Sequence, residues 1–191
     1  MKCRTNRLTA HTSSTTGQVP RVYLAGKIRK HCWRHSLVSG LREHTWDDGV
    51  LPQGEFDYIG PFFVGCDHGC FHGTDSHGAF PGCGAGACPG LDDVSTIHAS
   101  HQEVSTLCLL AITRADLMFC YIDSTDCFGT LVEIGYALAH QIPFVIAIAP
   151  GLAESGNNDF WFPCIKAHRV IYGVDEQELP AHLMSVIRRY A

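Results

Sequence analysis

The stretch Asp116-Leu117-Met118-Phe119-Cys120-Tyr121-Ile122-Asp123-Ser124-Thr125-Asp126-Cys127-Phe128-Gly129-Thr130-Leu131-Val132-Glu133-Ile134-Gly135-Tyr136-Ala137 decides the fold. Asp116 to Ile122 is a short, mostly apolar run with no helical period, which reads as a buried strand. Asp123 to Gly129 is crowded with turn and capping residues. From Thr130 to Gln141 apolar residues recur at helical spacing. In an open parallel sheet, ligands bind outside the carboxyl ends of the strands, where a turn of this kind lies. Glu133 sits in the first turns of the helix, between Val132 and Ile134. On helix physics alone it is either a charge matched to the macrodipole or a nucleophile.

The same alternation runs outward in both directions. Val22 to Ala25 reads as a first strand and Arg29 to Glu43 as a helix. Phe56 to Val64 holds a second strand, interrupted by Gly60-Pro61. His98 to Arg114 reads as a helix, with Val104, Leu107, Cys108 and Ala111 at helical spacing. Pro143 to Ala149 is another strand. Asp159 to Ala167 is a short helix, Arg169 to Tyr172 a short strand, and Glu176 to Tyr190 an amphipathic helix. Strands alternating with helices imply a parallel sheet covered on both faces. The expected fold is α/β: a flavodoxin-like (Rossmann-like) three-layer sandwich around a five-stranded parallel sheet.

Composition narrows the function classes. The 191 residues suit one domain with a substantial core. A formal net charge of −5 argues against a nucleic-acid-binding face, which needs clustered cations. No apolar run is long enough to span a membrane. Met1 to Pro20 is polar, lacks the apolar centre of a signal peptide, and reads as a loose tail before a domain at 21–191. Cys108, Cys120 and Cys164 fall inside core elements, where a free thiol packs as a small hydrophobe. Reduced thiols and a cytoplasmic location follow as the expectation.

Gly60 to Leu91 departs from the alternation. Glycine at this density sustains neither helix nor strand, and a long structureless loop in a small domain is usually functional or disordered. Cys66, His68, Cys70, His72, His77, Cys83 and Cys88 match zinc ligands in number and type. Their spacing shows no paired Cys-x-x-Cys. The loop is therefore read as a cover over a substrate site, poorly ordered or held by ligand or neighbouring-chain contacts. Asp67, His68 and His72 would contribute to a polar pocket, with no metal and no cofactor. A zinc-stabilised interaction protein is the contrasting reading.

The string Ala115-Asp116-Leu117-Met118, Tyr121-Ile122, Phe128 to Ala139 and Pro143-Phe144-Val145 resembles the nucleoside 2-deoxyribosyltransferase family. Val22-Tyr23-Leu24-Ala25-Gly26-Lys27-Ile28 looks like that family's first strand and substrate loop. The resemblance covers Arg21 to Ile28 and about Thr106 to Pro150, but not the middle of the chain. It implies that Glu133 attacks the anomeric carbon of a nucleoside and displaces the base, and that Tyr23 lies beside it. It also implies the flavodoxin-like architecture and a homo-oligomer, for which the helix face around Leu131, Ile134 and Leu138 is the expected interface. The family's aspartate eight residues before the Asp of the "AD" pair is replaced here by Cys108.

The chemistry can also be argued from first principles. Cleaving an N-glycosidic bond builds positive charge on the sugar, which a carboxylate can stabilise or trap. The base leaves better with a second acid nearby. Asp126 is the nearest candidate by sequence. Asp123 either caps the helix or faces the substrate. Gly26 and Lys27, at a helix start, favour an anion, and Arg34 farther along that helix is expected to reach the same place; Gly129 opens the helix that carries Glu133. The catalytic candidates are thus Glu133, Tyr23 and Asp126. Gly26, Lys27, Asp123, Gly129, Asp67 and His68 are the binding candidates. The expected activity is transfer of a sugar from a nucleoside or nucleotide to another base. The alternatives are hydrolysis of a nucleoside 5′-monophosphate and a nucleotide-binding module without turnover.

Overall fold

The computed structural model describes residues 19–28, 32–41, 49–61, 101–154 and 159–190. Asp67, His68, His72 and the other Cys and His residues of the glycine-rich loop lie outside the described residues, as do Met1 to Gln18. Pro20, assigned to the loose tail, belongs to the fold: its carbonyl accepts a hydrogen bond from the Asp57 amide at 2.9 Å.

Six strands form one sheet: β1 (Arg21–Gly26), β2 (Leu51–Pro52), β3 (Asp57–Tyr58), β4 (Leu117–Ile122), β5 (Phe144–Ile148) and β6 (Arg169–Tyr172). Their order is β2-β3-β1-β4-β5-β6. Five are parallel, and β2 pairs antiparallel with β3. The expected five-stranded sheet is therefore corrected to six. The extra strand is an edge, where Pro52 costs no ladder bond because its missing N–H would have faced outward. The helices are α1 (Arg34–Leu37), α2 (His101–Arg114), α3 (Phe128–Ala139), α4 (Pro150–Glu154), α5 (Trp161–Lys166) and α6 (Leu179–Tyr190). Of the helix expected from Arg29 to Glu43, only the α1 turn forms among the described residues. α4 had no counterpart in the sequence reading.

Strand alternation divides the core in two. Tyr23, Ala25, Met118, Cys120, Phe144 and Ile146 face α2 and α3. Val22, Leu24, Phe119, Tyr121, Val145 and Ala147 face the α1 region and α6. α6 contributes Leu179, Leu183, Val186 and Ile187, the spacing of a single helical stripe. β4 and β5 are buried at every position, as central parallel strands covered on both faces must be. Phe119 is fully buried at the centre of β4. Phe119→Ala is expected to cost about 3–5 kcal/mol, read as a lowered denaturation midpoint with unchanged slope.

At the amino end of the sheet, Asp116 ties β1 to β4. Its carboxylate accepts from the Arg21 amide at 2.8 Å and from the Arg21 guanidinium at two points, both 3.1 Å. At the carboxyl end the two strands part company. The chain leaving β1 enters the α1 core, whereas the chain leaving β4 enters the α3 core on the opposite face. Neighbouring strands whose connections leave to opposite faces frame a crevice at their carboxyl ends, the usual ligand position in an open α/β sheet.

Cys32, Cys108, Cys120, Cys127 and Cys164 are free thiols. Among the described residues no helix is long and apolar enough to cross a membrane.

Candidate functional site

Helical geometry turns Glu133 inward. On α3, Thr130, Ile134 and Ala137 are buried, while Phe128 and Val132 face outward at 72% and 66% exposure. Glu133 lies three residues after Thr130 and four before Ala137, so it borders the buried stripe. On β1, Tyr23 points to the same face of the sheet. The two meet: Tyr23 Oη donates to Glu133 Oε1 at 2.5 Å. The partners are 110 residues apart in sequence.

Part of Glu133 remains accessible, but its carboxyl lies deep. Burial is the largest influence on it and pushes its pKa up to about 7. The Tyr23 hydrogen bond and the Arg34 charge pull the other way without cancelling that effect. Burial, reinforced by the Glu133 charge, holds the Tyr23 hydroxyl well above its ordinary range, so it stays a proton-bearing donor. Cys108, on α2, hydrogen-bonds the same hydroxyl. Cys108 is thus a buried thiol beside Tyr23. Tyr23→Phe removes a bond that favours the Glu133 anion. The Glu133 titration midpoint is expected to move above about 7, with a stability loss of only about 1 kcal/mol; carboxyl-labelled NMR and thermal unfolding would read the two.

The remaining candidates divide. Gly26, the last residue of β1, has φ 155°, and a Cβ there would stand 2.9 Å from the Tyr121 carbonyl oxygen, so only glycine fits. Lys27 follows it and donates to Asp126 Oδ2 at 2.5 Å, joining the turn after β1 to the turn before α3. Asp126 is therefore a poor acid for a departing base: the Lys27 hydrogen bond, the largest cause, holds its carboxyl down at about 2. Asp123 follows β4 directly. Gly129 meets open space where its Cβ would be, so no close approach demands glycine there. The interface reading of α3 is also revised. Ile134 is buried against the sheet and Leu131 packs against the same core, whereas Leu138 faces outward as expected, together with Phe128 and Val132.

Gly60 escaped the sequence reading, and Arg34 takes a different place from the one expected. Gly60 has φ 152°, and a Cβ on it would lie 2.5 Å from Tyr23 Cε2, so the Tyr23 ring occupies the space that this glycine leaves. The Gly60-Pro61 pair was the available signal, but it was read only as an interruption of a strand. Arg34 is fully buried, with its fork on backbone carbonyls, and does not face solvent as an anion ligand would. Its sequence signal, a basic residue near a helix start, is identical to that of a solvated one. Among the described residues no group of three His, Cys, Asp or Glu side chains could hold a metal ion.

Set against protein-family models and against curated proteins, the chain finds no match in either.

Proposed function

We propose that the chain is a flavodoxin-like enzyme that cleaves the N-glycosidic bond of a nucleoside or nucleotide through Glu133 and transfers the sugar to another base, as nucleoside 2-deoxyribosyltransferases do. The five parallel strands, in the order β3-β1-β4-β5-β6, support the architecture. The observation that carries the chemistry is the Tyr23–Glu133 pair beside the β1/β4 crevice. Tyr23 occupies Oε1 and leaves Oε2 to attack. The new bond runs from Oε2 to the anomeric carbon. The C–N bond breaks with its electron pair going to the base, which takes a proton from solvent. A second base then attacks the glycosyl ester through a ring nitrogen, loses its proton to solvent, and frees the Glu133 carboxylate. A carboxyl pushed up to about 7 is poorly hydrated and correspondingly basic, which suits a nucleophile.

Hydrolysis of a nucleoside 5′-monophosphate is the second reading. Lys27 favours it, because an ammonium at the crevice rim can exchange Asp126 for a phosphate. Incubation with a panel of nucleosides and 5′-monophosphates, with and without an acceptor base, separates the two. New nucleosides only in the presence of acceptor support transfer. Free sugar phosphate supports hydrolysis. Binding with no product supports a module without turnover. Mass spectrometry of denatured protein after brief exposure to a 2′-deoxynucleoside should show a pentose adduct on Glu133, and failure to trap it in any condition would count against the covalent route.

A further inference from the structure

α3 turns an unusual face to solvent. Its exposed residues are Phe128, Gly129, Val132, Gly135, Leu138 and Ala139, with no polar side chain among them. The other two long helices follow the ordinary amphipathic rule. α6 exposes Ser185, Arg188 and Arg189, and α2 exposes Gln102, Ser105, Thr106 and Arg114 beside Leu110. α5 packs against α3 and extends its apolar surface with Trp161, Phe162 and Ile165, each more than half exposed. The Trp161 and Phe162 rings meet edge to face, with centroids 5.6 Å apart. A contiguous apolar surface of this kind marks a place where another molecule sits.

The order of sizes along α3 selects that molecule. Phe128, Val132, Gly135 and Ala139 recur at spacings of four, three and four, which puts them on one stripe of the helix. The bulky residues fill its amino half and the small ones its carboxyl half. A second copy of α3, packed on this stripe about a two-fold axis perpendicular to the helix, runs antiparallel to the first. Phe128 then lies over Ala139 of the partner subunit, and Val132 over Gly135 of the partner subunit. Both pairs share one midpoint along the helix, between positions 133 and 134, so a single axis satisfies both. Among the described residues nothing calls for glycine at position 135. It lies in mid-helix, where glycine is unfavourable, and a Cβ on it would meet no atom within 4 Å. A hollow for a second chain accounts for it.

We propose that the α3–α5 surface is a self-docking face, on which a second copy of this chain packs α3 antiparallel against α3 with Val132 seated on Gly135 of the partner subunit. A stripe about 18 Å long is short for a stable contact by itself. The exposed aromatic residues of α5 widen it, and Trp and Phe are among the residue types that anchor interfaces. A charged peptide finds no counter-charge along the stripe. A membrane surface fits no better, because an interfacial helix needs cations beside its apolar face. α3 carries none, in a chain of net charge −5. The docking face stands apart from the reaction assigned to Glu133, since it needs only the outward side of the helix.

Sedimentation equilibrium of the full chain at micromolar concentration should show a dimer. Val132→Glu puts a like charge from each copy into an apolar seam and should weaken association by about 100-fold. Gly135→Val fills the hollow and should weaken it by about tenfold or more. Valine is a better helix former than glycine, so that loss of association is not a loss of fold; circular dichroism of both variants checks this. Exchanging the pair, Val132→Gly together with Gly135→Val, moves knob and hollow at once and should restore most of the dimer that Gly135→Val alone loses. Ser185→Glu on the exposed face of α6 should leave the mass unchanged. A wild-type monomer would overturn the proposal. So would a dimer indifferent to Val132→Glu and Gly135→Val, which would put the contact elsewhere. Flotation of the wild-type chain with vesicles of phosphatidylcholine and phosphatidylserine would hand the face to a membrane and overturn it as well. Every arm is read without substrate, so a dimer that turns over no nucleoside would sink the reaction assignment and leave the docking face intact.

Discussion

Glu133→Gln is expected to lower turnover by at least about 10³-fold while leaving ligand binding nearly unchanged, because the amide keeps the shape and loses the anion. The same substitution should stabilise the fold at alkaline pH. Glu133 moves from an ordinary value of 4.5 to about 7 on folding. Its folded form therefore holds the proton more tightly than the unfolded chain. The stability that this proton brings is complete below about 4.5 and is lost as pH rises through about 7. Above that, the buried carboxylate costs about 3 kcal/mol relative to an unshifted group. An uncharged Gln has no such loss, so the variant should melt higher than wild type at pH 8, and the advantage should shrink steadily toward pH 4.5. A flat difference between the two proteins across that range would refute the burial of the carboxyl. Full activity in the variant would refute its role.

Gly60→Ala should damage the site from outside the reacting pair. The added methyl meets the Tyr23 ring at 2.5 Å and at 2.8 Å. It also imposes a side chain on a backbone at φ 152°, where L residues are strained. Tyr23 is fully buried and cannot step aside without breaking its bond to Glu133. We expect a stability loss of about 2–4 kcal/mol and a fall in turnover of about 10²-fold, larger than the effect of Tyr23→Phe. Equal stabilities of the variant and wild type in denaturant would show that the ring has room.

What could be read from sequence follows the length and purity of each signal. Arg169–Tyr172 emerges where expected and Leu117–Ile122 one residue inside the expected start at Asp116, because each is an uninterrupted apolar run or sits between clear turn signals. α3 begins at Phe128, two residues before the expected Thr130, since turn and capping residues overlap the first helical turn. Leu51–Pro52 and Asp57–Tyr58 are two residues each. No periodicity can be expressed in two residues, so the register of that edge was invisible. The Tyr23–Glu133 contact was anticipated through a resemblance and not through spacing. The pairing of Asp126 was hidden for a physical reason: its partner Lys27 is 99 residues away, and a carboxylate fixed by a remote ammonium looks the same in sequence as a free one. Arg34 was misjudged likewise, because residue type says nothing about where a fork of donors ends up.

The Arg21–Asp116 pair has a consequence for how the molecule can change. It lies at the amino end of β1 and β4, two residues before Tyr23 along β1. Asp116 is therefore a fastener between two neighbouring strands, separate from the Tyr23–Glu133 contact itself. An ion pair of this kind serves the frame of the sheet whatever the molecule does, so the Ala115-Asp116 dipeptide speaks for the frame and not for an activity. For the engineer the distinction is useful: exchanging Arg21 and Asp116 for an uncharged pair would loosen the amino edge of the sheet without removing either member of the Tyr23–Glu133 contact.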